Sequence, residues 1–313
     1  MVVASGTRIG WRDLPGSVRH AVEEILGAPV TDAVSQAGGF SPGTADRVRT
    51  ADGGRAFVKA VGAVLNEHSP RLHRQEAVVT AALPLAAPTP KLLGVHDDGD
   101  WVALVLTDVD GRHPSWDDPA HVTAVRATLA DLARVLTPCP IPDAPATRDL
   151  LAPDFAGWHR LRDDPPAELD PWVAGHLGDL CRRADHGLAA LAGDTLTHTD
   201  LRADNLLIGD DGTVTVVDWP WGARGPRWLD TLLLLLNIRL YGGDPDLATV
   251  DADRADLVGV LAGFGGFFVD AARHLAPPGP AVTACVPAGP GGRRGVVAAR
   301  TQRLTCSMSP VGV

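Results

Sequence analysis

The chain has 313 residues, and its 28 basic and 38 acidic side chains give a formal net charge of −10. This length allows one large domain or two lobes that share a cleft, and an apolar content of 45% excludes disorder of the chain as a whole. The negative balance argues against non-specific binding of nucleic acid, which depends on contacts between basic side chains and phosphates.

Cysteine spacing and apolar runs bear on the compartment. The four cysteines have no C-x-x-C spacing, so neither a zinc site nor a disulfide framework is expected, and a reducing cytoplasm fits. The longest uninterrupted apolar run, 232–236, is far shorter than the ~20 residues of a membrane span, and no apolar signal segment opens the chain. We therefore expect a cytoplasmic protein with neither membrane nor nucleic-acid partners.

The first third of the chain predicts a small antiparallel sheet with tight glycine turns, which we interpret as an N-lobe over residues 15–107. Apolar spacing typical of helices and strands defines its elements. The predicted helices lie at 15–28 and 72–83, and the predicted strands at 33–37, 45–49, 55–61, 91–95 and 101–106.

The pattern becomes helical from residue 117 onward, and we interpret residues 108–276 as a larger C-lobe. A short pair of strands interrupts the helices around the turn Asp210-Asp211-Gly212. The predicted helices lie at 122–136, 172–191, 228–240 and 255–273, and the two strands at 205–208 and 213–217.

The end of the chain, 277–313, reads as a tail rich in Pro, Gly and Arg. No acidic residue occurs from 271 to 313, although the chain as a whole has 38. We expect this tail to be poorly ordered and to carry no catalytic group. A second interpretation stays open: a slip of reading frame near Thr283 in a GC-rich gene would replace a C-terminal helix by such a tail.

The strongest chemical signal is the pattern H-x-D-x-x-x-x-N, which runs from His198 through Asp200 to Asn205. Asp218 follows the asparagine by thirteen residues, at the end of an apolar run. Phosphoryl transfer requires an acceptor for the proton of the attacking hydroxyl and metal ions on the donor phosphates. Asp200 is the candidate base, and Asn205 and Asp218 are candidate oxygen ligands of Mg²⁺.

A second signal lies in the N-lobe. Gly38, Gly39 and Gly43 separate two predicted strands, and backbone N–H groups of such a turn can lie close to phosphates. Only two of the 28 basic residues are lysines, and one of them, Lys59, falls on the next strand. A strand lysine can reach the α- and β-phosphates, and Glu76 on the following helix is positioned to pair with it.

These motifs resemble the aminoglycoside phosphotransferase family over roughly residues 30–275. The family's H-G-D-x-x-x-x-N pattern stands here as His198-Thr199-Asp200 through Asn205, and its D-W pattern as Asp218-Trp219. The resemblance implies an α+β, two-lobed protein-kinase-like fold, with a small antiparallel-sheet N-lobe and a larger, mainly helical C-lobe. It also implies ATP or GTP as phosphate donor, Mg²⁺, and a hydroxyl of a small molecule as acceptor, such as an aminoglycoside-like antibiotic or another small alcohol.

Two departures from the family pattern matter. Thr199 stands where the family usually has Gly, which we expect to be tolerable if the backbone keeps a negative φ there. Arg202 lies two residues after the candidate base, where it is either a group that stabilises charge on the transferred phosphate or an ordinary surface arginine. The resemblance makes His198 a structural residue of the loop.

Two alternative functions remain at this point. A pseudokinase would bind nucleotide without turnover, but none of the expected catalytic side chains is replaced. A serine hydrolase would use Ser41, which lies in a G-x-S-x-G pattern. The oxyanion hole of such an enzyme needs the backbone N–H after the serine, and Pro42 has none.

The acceptor cannot be read from the sequence. Acidic side chains of the C-lobe are candidates for contacts with a polycationic aminoglycoside, although a solvated acidic surface is the simpler interpretation. They are Asp163, Asp164, Glu168, Asp170, Asp244, Asp246, Asp251 and Asp253.

Overall fold

The structure is a computed structural model that describes residues 8–36 and 41–274. Gly38, Gly39 and the predicted tail, including the site of the possible frame slip, lie outside these residues. The described residues form two compact units, one built from 8–144 and 195–222 and the other from 145–194 and 223–274. The lobe boundaries predicted from the sequence stay a prediction.

The first unit is built on a five-stranded antiparallel sheet with the strand order β1-β2-β3-β5-β4. Helix α1 precedes the sheet, and α2 connects β3 to β4. The bounds are α1 Gly16–Leu26, β1 Val30–Ser35, β2 Thr44–Thr50, β3 Arg55–Gly62, α2 Ser69–Ala82, β4 Leu92–Asp97 and β5 Trp101–Thr107.

The two faces of this sheet pack against different helices. Val58 and Ala60 of β3 belong to an apolar cluster that includes Val18 and Val22 of α1. Phe57 packs on the opposite face with Ala77 of α2. Because side chains alternate along a strand, Lys59 of β3 shares the α2 face with Phe57.

The rest of the first unit contains one long helix and short strands. Asp118 caps the first turn of α3 by accepting a hydrogen bond from the backbone N–H of Ala120. Strands β7 and β8 form the predicted hairpin, whose turn has Gly212 at φ +80°. The bounds are α3 Pro119–Val135, β6 Thr195–Thr197, β7 Leu206–Ile208 and β8 Val214–Val216.

The second unit is a helical bundle in which α8 packs against α4, α5 and α6. Asp170 caps α6 through the backbone N–H groups of Trp172 and Val173. The bounds are α4 Thr147–Phe155, α5 Gly157–Asp163, α6 Pro171–Ala190, β9 Ala223–Gly225, α7 Leu229–Leu240 and α8 Arg254–His274.

Glycines allow α8 to approach its neighbours closely. A Cβ added to Gly187 of α6 would lie 2.2 Å from the carbonyl carbon of Gly259 in α8. A Cβ added to Gly157 of α5 would lie 2.4 Å from the carbonyl carbon of Gly266. Real side chains do not fit at these distances, so backbone-to-backbone contact requires glycine at both crossings.

Among the described residues, one helix is long and apolar enough to cross a membrane by length and composition, and it is Arg254–Arg273. Of the most apolar 18-residue stretch of this helix, 44% is buried in the structure. A core helix of a soluble protein passes the same test, so the finding is weak evidence for a membrane segment. The expected absence of a membrane partner stays a prediction.

The predicted α+β class is confirmed. Most predicted elements occur within three residues of their expected bounds, but α4 and α5 were not predicted. Pro153 interrupts the helical pattern of α4, and Gly157 opens α5 only two residues after α4 ends. Both residues are usually signals that end a helix.

Candidate active site

Lys59 bridges two carboxylates on the α2 face of the sheet. Its Nζ lies 2.5 Å from Oε2 of Glu76 and 2.6 Å from Oδ1 of Asp218. The side chains of Lys59 and Glu76 are 16% and 4% exposed, whereas that of Asp218 is 39% exposed. The structure therefore brings together three of the residues that the sequence singled out, and their assigned roles stay predictions.

The charges of this cluster support one another. Burial disfavours the ammonium of Lys59, but Asp218 and Glu76 outweigh it and raise the pKa of Lys59. Burial likewise disfavours the carboxylate of Asp218, but the adjacent Lys59 holds the pKa of Asp218 at about 2. Both groups are therefore charged at neutral pH.

The backbone around Asp218 aims its carboxylate at Lys59. Asp218 adopts a left-handed conformation with φ +67°, which is uncommon for a residue with a side chain. The backbone N–H of the next residue, Trp219, donates to Glu76. The indole of Trp219 is buried and meets the ring of His198 edge to face at 4.7 Å.

The imidazole of His198 forms a structural contact within the loop that carries the H-x-D motif. It is fully buried, and its Nε2 donates a 2.9 Å hydrogen bond to the carbonyl of Val217, next to Asp218. This contact ties the start of the H-x-D loop to the end of the β7–β8 hairpin.

Asp200, Asn205 and Arg202 form the second part of the site. Nδ2 of Asn205 donates to the backbone carbonyl of Asp200 at 2.8 Å and lies 3.4 Å from its Oδ2. Nε of Arg202 lies 3.5 Å from Oδ1 of Asp200, and Arg202 also pairs with Asp204. Burial raises the pKa of Asp200 to about 6 against the opposing charges of Arg202 and His198. Such a carboxylate is a better proton acceptor than an exposed one.

The oxygen donors of Asn205 and Asp218 fit Mg²⁺. The backbone N–H of Val217 donates to the carbonyl of Asn205 at 3.0 Å, which places Asp218 beside that residue. Since Nδ2 of Asn205 faces Asp200, its Oδ1 is the atom that can bind a cation. No group of three or more His, Cys, Asp or Glu residues in 8–36 and 41–274 could hold a metal. Two protein ligands suit Mg²⁺, which keeps several waters and binds substrate phosphates.

The backbone at Thr199 does not meet the condition of a negative φ under which threonine was expected to be tolerable. Thr199 has φ +62°, the left-handed region that a β-branched residue rarely adopts. Its Oγ1 donates a 2.7 Å hydrogen bond to the carbonyl of Trp221, and the residue is buried. The side chain thus anchors a backbone conformation for which glycine would be the ordinary choice.

Packing accounts for the glycine at position 43. A Cβ there would lie 2.2 Å from the carbonyl oxygen of Ala60 on β3. Its predicted contact with phosphates stays a prediction, as do those of Gly38 and Gly39 outside the described residues. Oγ of Ser41 accepts a 3.3 Å hydrogen bond from the backbone N–H of Gly43, an ordinary turn contact.

Two residues near the cluster were missed by the sequence analysis. His73 lies one turn before Glu76 on the buried face of α2, and burial together with Lys59 lowers the pKa of His73 to about 3. This i, i+3 spacing was available as a signal. Arg8 is half-buried and interacts electrostatically with Asp218, and no motif pointed to it.

Most acidic candidates for acceptor binding have local partners. Five of the eight are engaged within the second unit, two as caps and three in ion pairs. Asp170 and Asp246 accept backbone hydrogen bonds at the starts of helical turns, while Asp163, Asp164 and Asp244 pair with Arg162, Arg273 and Arg239. These contacts favour the solvated-surface interpretation.

The fold is kinase-like. The structure of an aminoglycoside phosphotransferase from Alicyclobacillus acidocaldarius subsp. acidocaldarius DSM 446 is similar, with a TM-score of 0.56, 17% identity and 89% of each chain covered. The choline kinase LicA from Streptococcus pneumoniae is also similar, with a TM-score of 0.53 and 14% identity, covering 93% of this chain and 97% of that one. The predicted two-lobed protein-kinase-like class is confirmed.

Family membership follows from the sequence itself. Residues 38–288 match the phosphotransferase enzyme family, APH, which makes the chain a member of that family. The resemblance drawn from the H-x-D and D-W motifs is thereby confirmed. No curated protein matches the chain.

Proposed function

We propose that this protein transfers the γ-phosphate of ATP or GTP to a hydroxyl group of a small molecule, with Mg²⁺ as cofactor. The observation that carries the proposal is the bridge from Lys59 to Glu76 and Asp218. It joins a strand lysine, a helix glutamate and the D-W aspartate, the groups that place donor phosphates and metal in kinases.

The reaction balances with the groups present. The acceptor oxygen forms a bond to the γ-phosphorus, and the bond from that phosphorus to the β–γ bridging oxygen breaks. The hydroxyl proton passes to the carboxylate of Asp200, whose raised pKa suits a base. Arg202, held beside Asp200, offers positive charge near the transferred group.

The metal would be held by Oδ1 of Asn205 and the carboxylate of Asp218. When bound, Mg²⁺ neutralises charge on the donor phosphates. Lys59 keeps the carboxylate of Asp218 ionised, and Asp200 fixes the amide of Asn205. The two metal-binding side chains are therefore oriented by neighbours that would not themselves bind the metal.

The acceptor class follows from the family and is proposed as a small alcohol. An aminoglycoside is one candidate because the family contains enzymes of that name. The local pairing of most acidic candidates gives no special support to a polycation. Choline and other neutral or singly charged alcohols therefore belong in the same test.

The test is transfer of labelled phosphate from [γ-³²P]ATP or GTP to a panel of aminoglycosides, choline and sugar alcohols, with and without Mg²⁺. We expect Mg²⁺-dependent labelling of one acceptor class. Asp218→Asn should abolish it, whereas Asp210→Asn, at an exposed turn position, should not.

Other outcomes identify the alternatives. A thermal shift with Mg²⁺ and ATP but no labelling of any acceptor, and no ATP hydrolysis, would indicate a pseudokinase. Cleavage of p-nitrophenyl esters that is lost in Ser41→Ala would indicate a hydrolase.

A further inference from the structure

Arg8 is a cation that the proposed mechanism does not use. It lies in the segment before α1, far in sequence from both the H-x-D and D-W motifs. The residue is half-buried, although an arginine in a leading segment ordinarily extends into solvent. A guanidinium cannot lose its charge in a protein, so the cost of its partial burial calls for an anionic partner.

Two backbone hydrogen bonds hold the segment that carries Arg8 against Pro42 and the start of β2. The backbone N–H of Ile9 donates a 3.2 Å hydrogen bond to the carbonyl of Pro42, next to Gly43. The backbone N–H of Trp11 donates a 2.6 Å hydrogen bond to Oδ2 of Asp46 on β2. Arg8 therefore adjoins the turn predicted to lie over phosphates.

Burial of Trp11 strengthens this attachment. Its indole is 7% exposed and packs with Val48 and Val58 on the α1 face of the sheet. The second carboxylate oxygen of Asp46 accepts a hydrogen bond from Oγ of Ser35. Both oxygens of Asp46 thus accept hydrogen bonds from Trp11 and Ser35. The carboxylate is therefore poorly placed to form an ion pair with Arg8 as well.

The charge environment of Arg8 is that of the nucleotide site. Burial lowers the pKa of the Arg8 guanidinium, while Asp218 and Asp46 act on it by charge at a distance, without a hydrogen bond between them in the described part of the chain. Burial lowers the pKa of His73, and the charges of Lys59 and, to the smallest extent, Arg8 lower it further. Two carboxylates contact Lys59, whereas no carboxylate of the described residues forms an ion pair with Arg8.

We propose that Arg8 is a phosphate-binding residue of the nucleotide site, held in place by the contact of the leading segment with Pro42. This inference rests on the proposed function, because the anion it would bind is the polyphosphate of ATP or GTP. Its five N–H donors suit non-bridging phosphate oxygens, which a planar guanidinium binds in pairs. Asp218 would then interact by charge with two cations, Lys59 and Arg8.

The test measures binding by calorimetry in the full chain, with ATP, ADP and adenosine as probes in the presence of Mg²⁺. We expect Arg8→Met to raise the Kd for ATP by about tenfold to a hundredfold, the effect of losing one contact to a charged group. Adenosine, which has no phosphate, should bind equally well to both proteins. Arg8→Lys should retain part of the affinity and also guards against a folding defect, which the Tm of each variant reports.

The matched control is Arg12→Met, an exposed arginine of the same segment, which should leave all three Kd values unchanged. Equal ATP affinity in wild type and Arg8→Met would overturn the inference. Tighter binding of ATP by Arg8→Met would also overturn it, since Arg8 would then compete with the nucleotide. Failure of the wild-type protein to bind ATP would refute the proposed function itself, a result distinct from both.

Discussion

Lys59 and Asp218 are 159 residues apart in sequence, and a 2.6 Å contact joins Nζ of one to Oδ1 of the other. A third residue, Glu76, completes the bridge from α2. The two carboxylates hold the ammonium of Lys59 in one orientation and keep it protonated. It keeps one N–H for a ligand, while the carboxylate of Asp218 stays ionised for a metal.

Lys59→Met should weaken productive placement of ATP. Loss of the ammonium removes its proposed contact with the donor phosphates and leaves Glu76 and Asp218 as adjacent carboxylates. We expect kcat/KM for ATP to fall by roughly 10- to 10²-fold, from the ~1.5–3 kcal/mol of one lost hydrogen bond to a charged group. Lys91→Met is the matched control, because the ammonium of Lys91 donates to the carbonyls of Pro84 and Ala87 and to no carboxylate of the described residues. If Lys59→Met is kinetically silent, the assignment of the nucleotide site to this sheet is wrong.

Asp200→Asn should lower kcat by about 10²- to 10⁴-fold, the range for removal of a general base. The amide preserves the shape next to Asn205 and Arg202, so the Kd for ATP should change little. Steady-state kinetics and calorimetry separate the two effects. Near-normal turnover would remove Asp200 from its role.

The site could be predicted from the sequence only where its spacing is local. Asp200 and Asn205 lie on one short loop, and the turn of the β7–β8 hairpin sets the distance to Asp218. The contact between Lys59 and Asp218 was not predicted, because 159 residues separate them and no local spacing links them. Arg8 gave no motif, because its position depends on how the leading segment packs against the sheet. The i, i+3 spacing of His73 and Glu76 on α2 was a local signal that could have been used.

The fold was predictable where periodicity was clear. Strand β5 is almost wholly buried, and its bounds agree with the prediction. Strand β1 contains two pairs of adjacent exposed residues, and it begins at Val30, earlier than expected. Such a strand lacks the alternation that defines a half-buried strand. The close helix crossings of α5 and α6 with α8 could not be predicted either, because a glycine within a helical pattern ordinarily indicates a break in the helix.

At position 199 we expect the glycine variant to be more stable than the alanine variant. Thr199→Ala keeps the positive φ and loses the hydrogen bond to Trp221, so we expect it to lower the free energy of unfolding by about 1–2 kcal/mol. Thr199→Gly loses the same bond but relieves ~1–2 kcal/mol of backbone strain, so it should be the more stable of the two. Denaturant unfolding of both variants measures the order. Greater stability of the alanine variant would contradict the left-handed backbone.

Gly187→Ala should destabilise the second unit, although alanine is the better helix former. Its Cβ would meet the backbone of Gly259 at 2.2 Å, so α6 and α8 must separate, at a cost of about 1–3 kcal/mol or more. Gly175→Ala lies on the same helix with no atom within 4 Å of the added Cβ, and it should raise stability by ~0.5–1 kcal/mol. Equal effects of the two variants in thermal unfolding would argue against the close crossing.

Asp154 on α4 should make stability depend on pH. Burial raises the pKa of this carboxyl from its ordinary 3.8 to about 6, against the opposing charge of Arg160. The folded protein therefore binds a proton more tightly than the unfolded chain does between about pH 4 and pH 6. Stability contributed by this group falls as the pH rises through that window and stays low above it.

Asp154→Asn removes the cost of holding a charge at this position. We expect the variant to be more stable than wild type by about 1–3 kcal/mol at pH 7.5, and the difference to vanish near pH 4, where the wild-type carboxyl is protonated in the folded state. Asp143→Asn, at an exposed loop position, is the matched control and should leave the pH profile unchanged. Denaturant unfolding across pH 4–8 measures all three proteins. A stabilisation by Asp154→Asn that is the same at pH 4 and pH 7.5 would show that the carboxylate charge is not its cause.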